Sequence, residues 1–170
     1  IEKEHKYNFS KYYRCNCDLF LSSTLLQEYN KSFHTMIDIH LNADLGEGLN
    51  IEKDIMPFLS SCSIACGGHF GNDNTMREAA KIAVQNKIKI GAHPSYPDKI
   101  GFGRKAIKIS NIELSKSLIQ QVNSLRKILD DLKYQLDHIK THGALYNLSA
   151  NNYDLAMVII EIISEYYNDV

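Results

Sequence analysis

Between Met36 and Val170 the hydrophobic positions switch repeatedly between two spacings. Ile37, Ile39, Leu41 and Ala43 alternate with Asp38, His40, Asn42 and Asp44, the period of two that marks a strand. A helix capped by Asn50 and reaching about Leu59 is predicted next. A second strand puts Cys62, Ile64 and Cys66 on one side and Ser61, Ser63, Ala65 and Gly67 on the other. The helix after it runs from about Asn74 to Asn86, with Met76, Ala79, Ala80, Ala83 and Val84 as its apolar stripe. The third strand alternates Ile88, Ile90 and Ala92 with Lys89, Gly91 and His93. In the helix beyond it, Ser110 and Glu113 have capping-box spacing, and Leu118, Val122, Leu125, Leu129 and Leu132 share one face. A fourth strand sets His138, Lys140 and His142 against Ile139. A last helix starts near Asn151 and is expected to bury Leu155, Val158, Ile159, Ile162 and Tyr166.

Strand and helix in strict alternation imply parallel strands joined by right-handed crossovers. Parallel strands buried on both faces read as continuous apolar runs, whereas here one face of each strand is polar or small. A barrel, apolar outside under its helices and polar within, explains that. An open α/β sheet with one thinly covered face is the alternative. Residues 1–35, rich in Tyr, Lys, Asn and Ser, fall outside this design. They have no basic n-region, apolar h-region and small-residue cleavage site, and read as an N-terminal extension upstream of Met36 with no chemistry of its own.

Composition narrows the function classes. With 170 residues, 44% hydrophobic, 23% charged and a formal net charge of −1, the chain has no electrostatic attraction for nucleic acid or anionic membrane. No apolar run approaches the roughly 20 residues of a spanning helix. The cysteines pair as Cys15/Cys17 and Cys62/Cys66, without finger-like zinc spacing. Cys62 and Cys66 belong on a buried strand face as small hydrophobes, and the cytoplasm is the expected compartment.

In parallel α/β folds ligands bind at the carboxyl ends of the strands, where the reactive residue types of this chain collect. Asn42, Asp44 and Glu47 close the first strand. His69 and Asp73 follow the second, His93, Asp98 and Arg104 the third, and Lys140, His142 and Tyr146 the fourth. Each has a structural alternative. Asp44 can cap a turn, Glu47 can be a solvated loop residue, and Lys140 can form an internal ion pair with Asp38 or Asp44. A single histidine after a strand is commonly structural; three at equivalent strand ends argue for a site. His40, His138 and Lys89 lie deeper and suit the interior. All nine glycines sit in or beside strand-end loops, and no Walker-type phosphate loop is present.

The runs Asn42-Ala43-Asp44-Leu45-Gly46-Glu47, Ala65-Cys66-Gly67-Gly68-His69, Gly91-Ala92-His93-Pro94-Ser95-Tyr96-Pro97-Asp98, Phe102-Gly103-Arg104 and Lys140-Thr141-His142-Gly143-Ala144-Leu145-Tyr146 resemble, in order, the motifs of the LamB/YcsF family. That family is understood as the A subunit of the bacterial 5-oxoprolinase. Two departures stand out: Asn72-Asp73 follows Gly71 where the family has Gly-Asp, and Thr141 replaces a common Pro.

The resemblance implies an incomplete (βα) barrel of the glycoside hydrolase/deacetylase type, with about four of seven strands in residues 36–170 and the closing third absent. It implies ATP-dependent hydrolysis of 5-oxo-L-proline to L-glutamate with two partner subunits, B and C. Asp44 would be the general base and His69, His93 and His142 the catalytic imidazoles. Asn42, Glu47, Arg104, Lys140 and Tyr146 would bind substrate, Arg104 and Lys140 through its carboxylate or an added phosphate. A metal-dependent deacetylase-like hydrolase, with Asp44, His69 and His142 on a divalent ion, and an inactive fragment are the alternatives.

Overall fold

A computed structural model describes residues 39–170; the readings made for residues 1–38, including Cys15, Cys17, Ile37 and Asp38, lie outside the described residues. Four parallel strands, β1 (Asn42–Leu45), β2 (Ser61–Ala65), β3 (Lys89–His93) and β4 (Leu136–Ile139), pair in the order β1-β2-β3-β4. Each pairs only with its neighbours in sequence, so the order never reverses as it does in a doubly wound sheet.

Curvature distinguishes the barrel wall from the open sheet. Strands three places apart in a flat sheet lie roughly 14 Å apart. Yet the Asn42 side chain of β1 comes within 3.3 Å of His138 on β4, and Asp44 within 2.6 Å of Lys140. The sheet is therefore the tightly bent arc of a barrel, with the polar faces turned inward.

Helices α1 (Glu52–Ile55), α2 (Asp73–Gln85), α3 (Asn111–Asp131), α4 (Gly143–Ser149) and α5 (Tyr153–Tyr166) connect and cover the strands. Cys62, Ile64, Ile90 and Ala92 point outward into a core shared with Met76, Ala80 and Ala83 of α2 and Leu118, Val122 and Leu125 of α3. Cys62 and Cys66 are free and buried, which pushes both thiols up to about 12.

Several expected boundaries move. β1 starts at Asn42 because β2 starts at Ser61: Leu41 already spends its carbonyl on the Ser60 and Ser61 N–H groups. Ile39 and Leu41 are exposed. Asn50 does not cap α1; it sits at φ +56, and Ile51 precedes the helix without a side-chain cap. Asn72 caps α2, accepting from the Asn74 and Thr75 N–H groups. The Ser110/Glu113 capping box forms as expected. The segment after β4 makes two helices, α4 and then α5 capped by Asn152. Tyr167, beyond the helical phase, takes the buried place expected for Tyr166, and its hydroxyl donates to the Ile119 carbonyl.

Candidate active site

Asp44, on the inner face of β1, presents one carboxylate oxygen to the Lys140 ammonium at 2.6 Å and the other to His93 Nε2 at 3.4 Å. The chain then turns at Gly46, whose N–H donates to the Glu52 carboxylate, and brings Glu47 over the same opening. β2 ends in a tight turn in which Gly67 N–H donates to the Phe70 carbonyl. That turn places His69, fully buried, 2.9 Å from Glu47 Oε1 through Nε2. His93 is the last residue of β3, and His142 immediately precedes α4.

The backbone fixes two of these imidazoles. His93 Nδ1–H donates to the Lys140 carbonyl at 2.7 Å, and His142 Nε2–H to the Phe102 carbonyl at 3.0 Å. A carbonyl only accepts, so both protons are committed there. The remaining nitrogens, His93 Nε2 and His142 Nδ1, face each other at 3.0 Å. Glu47 Oε1 lies 3.4 Å from His142 Nδ1 and 3.9 Å from His93 Nε2. Burial holds both imidazoles below the ordinary histidine range, and the His69 hydrogen bond holds Glu47 below the usual carboxylate range despite its partial burial. The His69 ring stacks on His142 at 3.7 Å, and its Nδ1 is buried without a partner among the described residues.

The loop after β3 braces this arrangement. Phe102 packs its ring edge-on to His69 and His142 while its carbonyl holds His142. Gly103 is at φ +62, and a Cβ there would stand 2.9 Å from His69 Cβ and 3.1 Å from His142 Cδ2, so backbone conformation and the close approach both demand glycine. Further back, the buried Gln121 of α3 grips Ser95 by both backbone groups, accepting its N–H and donating to its carbonyl, each at 2.9 Å. The neighbouring Pro94 carbonyl accepts the His142 N–H.

Asp44, Glu47, His69, His93, Lys140 and His142 thus gather at one mouth. Asn42 opens β1 instead of closing it and bonds Ser61 and Ser63 deeper in the arc, together with His138. Arg104 is exposed over the Phe102 ring and makes no ion pair among the described residues. Tyr146 lies on α4, exposed, beside a hollow of about 290 Å³ it lines with Lys140 and Ile159. Asp98 closes its own loop on Gly101 N–H, and Asp73 is an exposed first-turn residue of α2. Side-chain reading missed Phe102 and Gln121. The Phe102-Gly103 pair was legible as a motif, but a carbonyl's role leaves no mark in sequence.

Glu47, His69, His93 and His142 offer ligand atoms that all lie within 4.8 Å of one another, and can hold a metal ion. This differs from the set expected from sequence: Glu47 and His93 are included, and Asp44 stands to one side, paired with Lys140.

Residues 39–170 match the family model described as LamB/YcsF family. The chain belongs to the LamB/YcsF family. Relatives named as the A subunit of 5-oxoprolinase include those of Bacillus cytotoxicus, 41% identical over 76% of this chain and 54% of the relative, and Haemophilus influenzae, 41% identical over 77% and 54%. That of Pyrococcus horikoshii is 36% identical over 78% and 54%. The crystal structure of a lactam utilization protein from Thermus thermophilus superposes with a TM-score of 0.74 at 32% identity, covering 77% of this chain and 55% of that one. This LamB/YcsF chain therefore spans about half the length of the curated relatives it matches.

Proposed function

We propose that the chain carries the hydrolytic site of the A subunit of a 5-oxoprolinase, opening the lactam of 5-oxo-L-proline to L-glutamate. Ring opening adds one water across the C–N bond: its oxygen joins the carbonyl carbon, and the ring nitrogen gains a proton as the bond breaks. An unstrained lactam resists water as a peptide does. The two partner subunits, B and C, use ATP to phosphorylate the lactam oxygen, and a second water releases that phosphoryl group as inorganic phosphate once the ring is open; the reaction belongs where ATP is plentiful, in the cytoplasm. The names of the relatives supply the substrate class.

The observation that carries the reading is the Asp44 carboxylate, held between the Lys140 ammonium and the His93 imidazole at the open end of the arc. There it takes the proton of the attacking water and returns it to the departing nitrogen as the C–N bond breaks. Lys140 orients Asp44, while Arg104 at the rim is free to meet the substrate carboxylate or the added phosphate.

In the reconstituted complex, Asp44→Asn should lower glutamate release by roughly 10²–10⁴-fold, the usual worth of a general base, with unchanged assembly. Near-normal turnover would remove Asp44 from that role.

A further inference from the structure

We propose that Glu47, His93 and His142 bind one first-row divalent cation through Glu47 Oε1, His93 Nε2 and His142 Nδ1, with His69 holding the carboxylate from outside the coordination shell. This goes beyond the lactam-opening reading and stands whatever the substrate.

The case begins with the two committed imidazole protons. With His93 Nδ1–H on the Lys140 carbonyl and His142 Nε2–H on the Phe102 carbonyl, two lone pairs confront each other at 3.0 Å beside two carboxylates. Like-signed electron pairs at that distance repel unless a positive centre lies between them. The spacing suits a metal. Bonds of about 2.0–2.1 Å in tetrahedral array put neighbouring ligand atoms about 3.3 Å apart; the three pairs here are separated by 3.0, 3.4 and 3.9 Å. Imidazole and carboxylate without thiolate suit zinc and its neighbours, and three protein ligands leave a place for water or substrate.

Ring geometry excludes His69 from the shell. Its plane runs 7° from that of His142, with centroids 3.7 Å apart, so a cation in the His142 plane lies well out of the His69 plane. His69 Nε2–H donates instead to Glu47, the outer-shell bond that ligating carboxylates commonly receive. Asp44, tied to Lys140, stands next to the cation without being needed to hold it.

The test uses the 170-residue chain, stripped by chelator and titrated with Zn²⁺ by calorimetry and with Co²⁺ by visible absorption. One equivalent should bind. His93→Ala, His142→Ala and Glu47→Ala should each weaken binding at least about 100-fold. His69→Gln should keep the stoichiometry and lose about 10–100-fold, as outer-shell partners do. Histidine ¹⁵N resonances of the unsubstituted chain give a check independent of variant folding: Zn²⁺ should move His93 Nε2 and His142 Nδ1 and leave their protonated nitrogens in place. Absence of Zn²⁺ binding, a shared proton in place of any metal, or equal loss in His69→Gln and His93→Ala overturns the assignment.

Discussion

The concave face of the sheet carries two polar layers that look alike in sequence and differ in what their hydrogen bonds leave over. In the floor, Asn42, Ser61, Ser63 and His138 satisfy one another. His138 Nδ1–H points at Asp137, so Nε2 accepts from the Asn42 amide, which also donates to Ser61, while Ser63 donates back to Asn42. Each of these donors finds an acceptor. At the mouth, a few residues along the same strands, acceptors outnumber donors: two imidazole lone pairs and two carboxylates converge, with Lys140 supplying positive charge from one side. A closed polar network holds its strands together; one with surplus lone pairs is arranged for something that arrives. Counting unsatisfied chemistry therefore separates structure from function better than counting histidines.

That contrast can be broken experimentally. The largest effect is expected from Lys140→Met in the assembled enzyme. Turnover should fall on the order of 10²-fold, as when a preorganised charge is removed. Stability should change by less than about 1 kcal/mol, because the pair with Asp44 is more than a third exposed. If melting and activity fall together, Lys140 belongs with the floor. Next comes Gly91→Ala: a Cβ there would meet His138 Nε2 at 2.1 Å, and forcing the imidazole aside should cost about 2 kcal/mol in denaturant titrations. The mouth should stay intact, read as unchanged Zn²⁺ affinity. The smallest is Ser63→Ala, which removes one floor hydrogen bond. A loss of about 1 kcal/mol is expected, again with Zn²⁺ affinity unmoved; weaker metal binding would show that the layers are coupled.

Much of this was legible along the chain. Period-two runs found β2 and β3, the apolar stripes found α2 and α3, and the Ser110/Glu113 pair marked the start of α3. The rule that parallel strands aim their carboxyl ends one way brought Asp44, His69, His93 and His142 together in advance. What escaped depended on backbone. Asn50 and Asn72 are equally good caps by residue type, and only Asn72 has the extended conformation that lets its side chain reach two N–H groups. Tyr166 fitted the helical stripe, but the chain leaves helical geometry at Tyr167 and swings that ring inward. Glu47 was open between a site role and a solvated loop, and only the Gly46 turn that carries it onto His69 decides its place. Gly91 was legible as part of the third strand, but the room it makes for His138 was not.

The grip of Gln121 on Ser95 makes a helix side chain imitate the peptide of an adjoining strand. One linkage then runs from the outer shell to the reaction centre: α3, Ser95, the Pro94 carbonyl, the His142 amide and its ring. A shift of α3 by a fraction of an ångström would therefore be passed to an imidazole that the helix never touches.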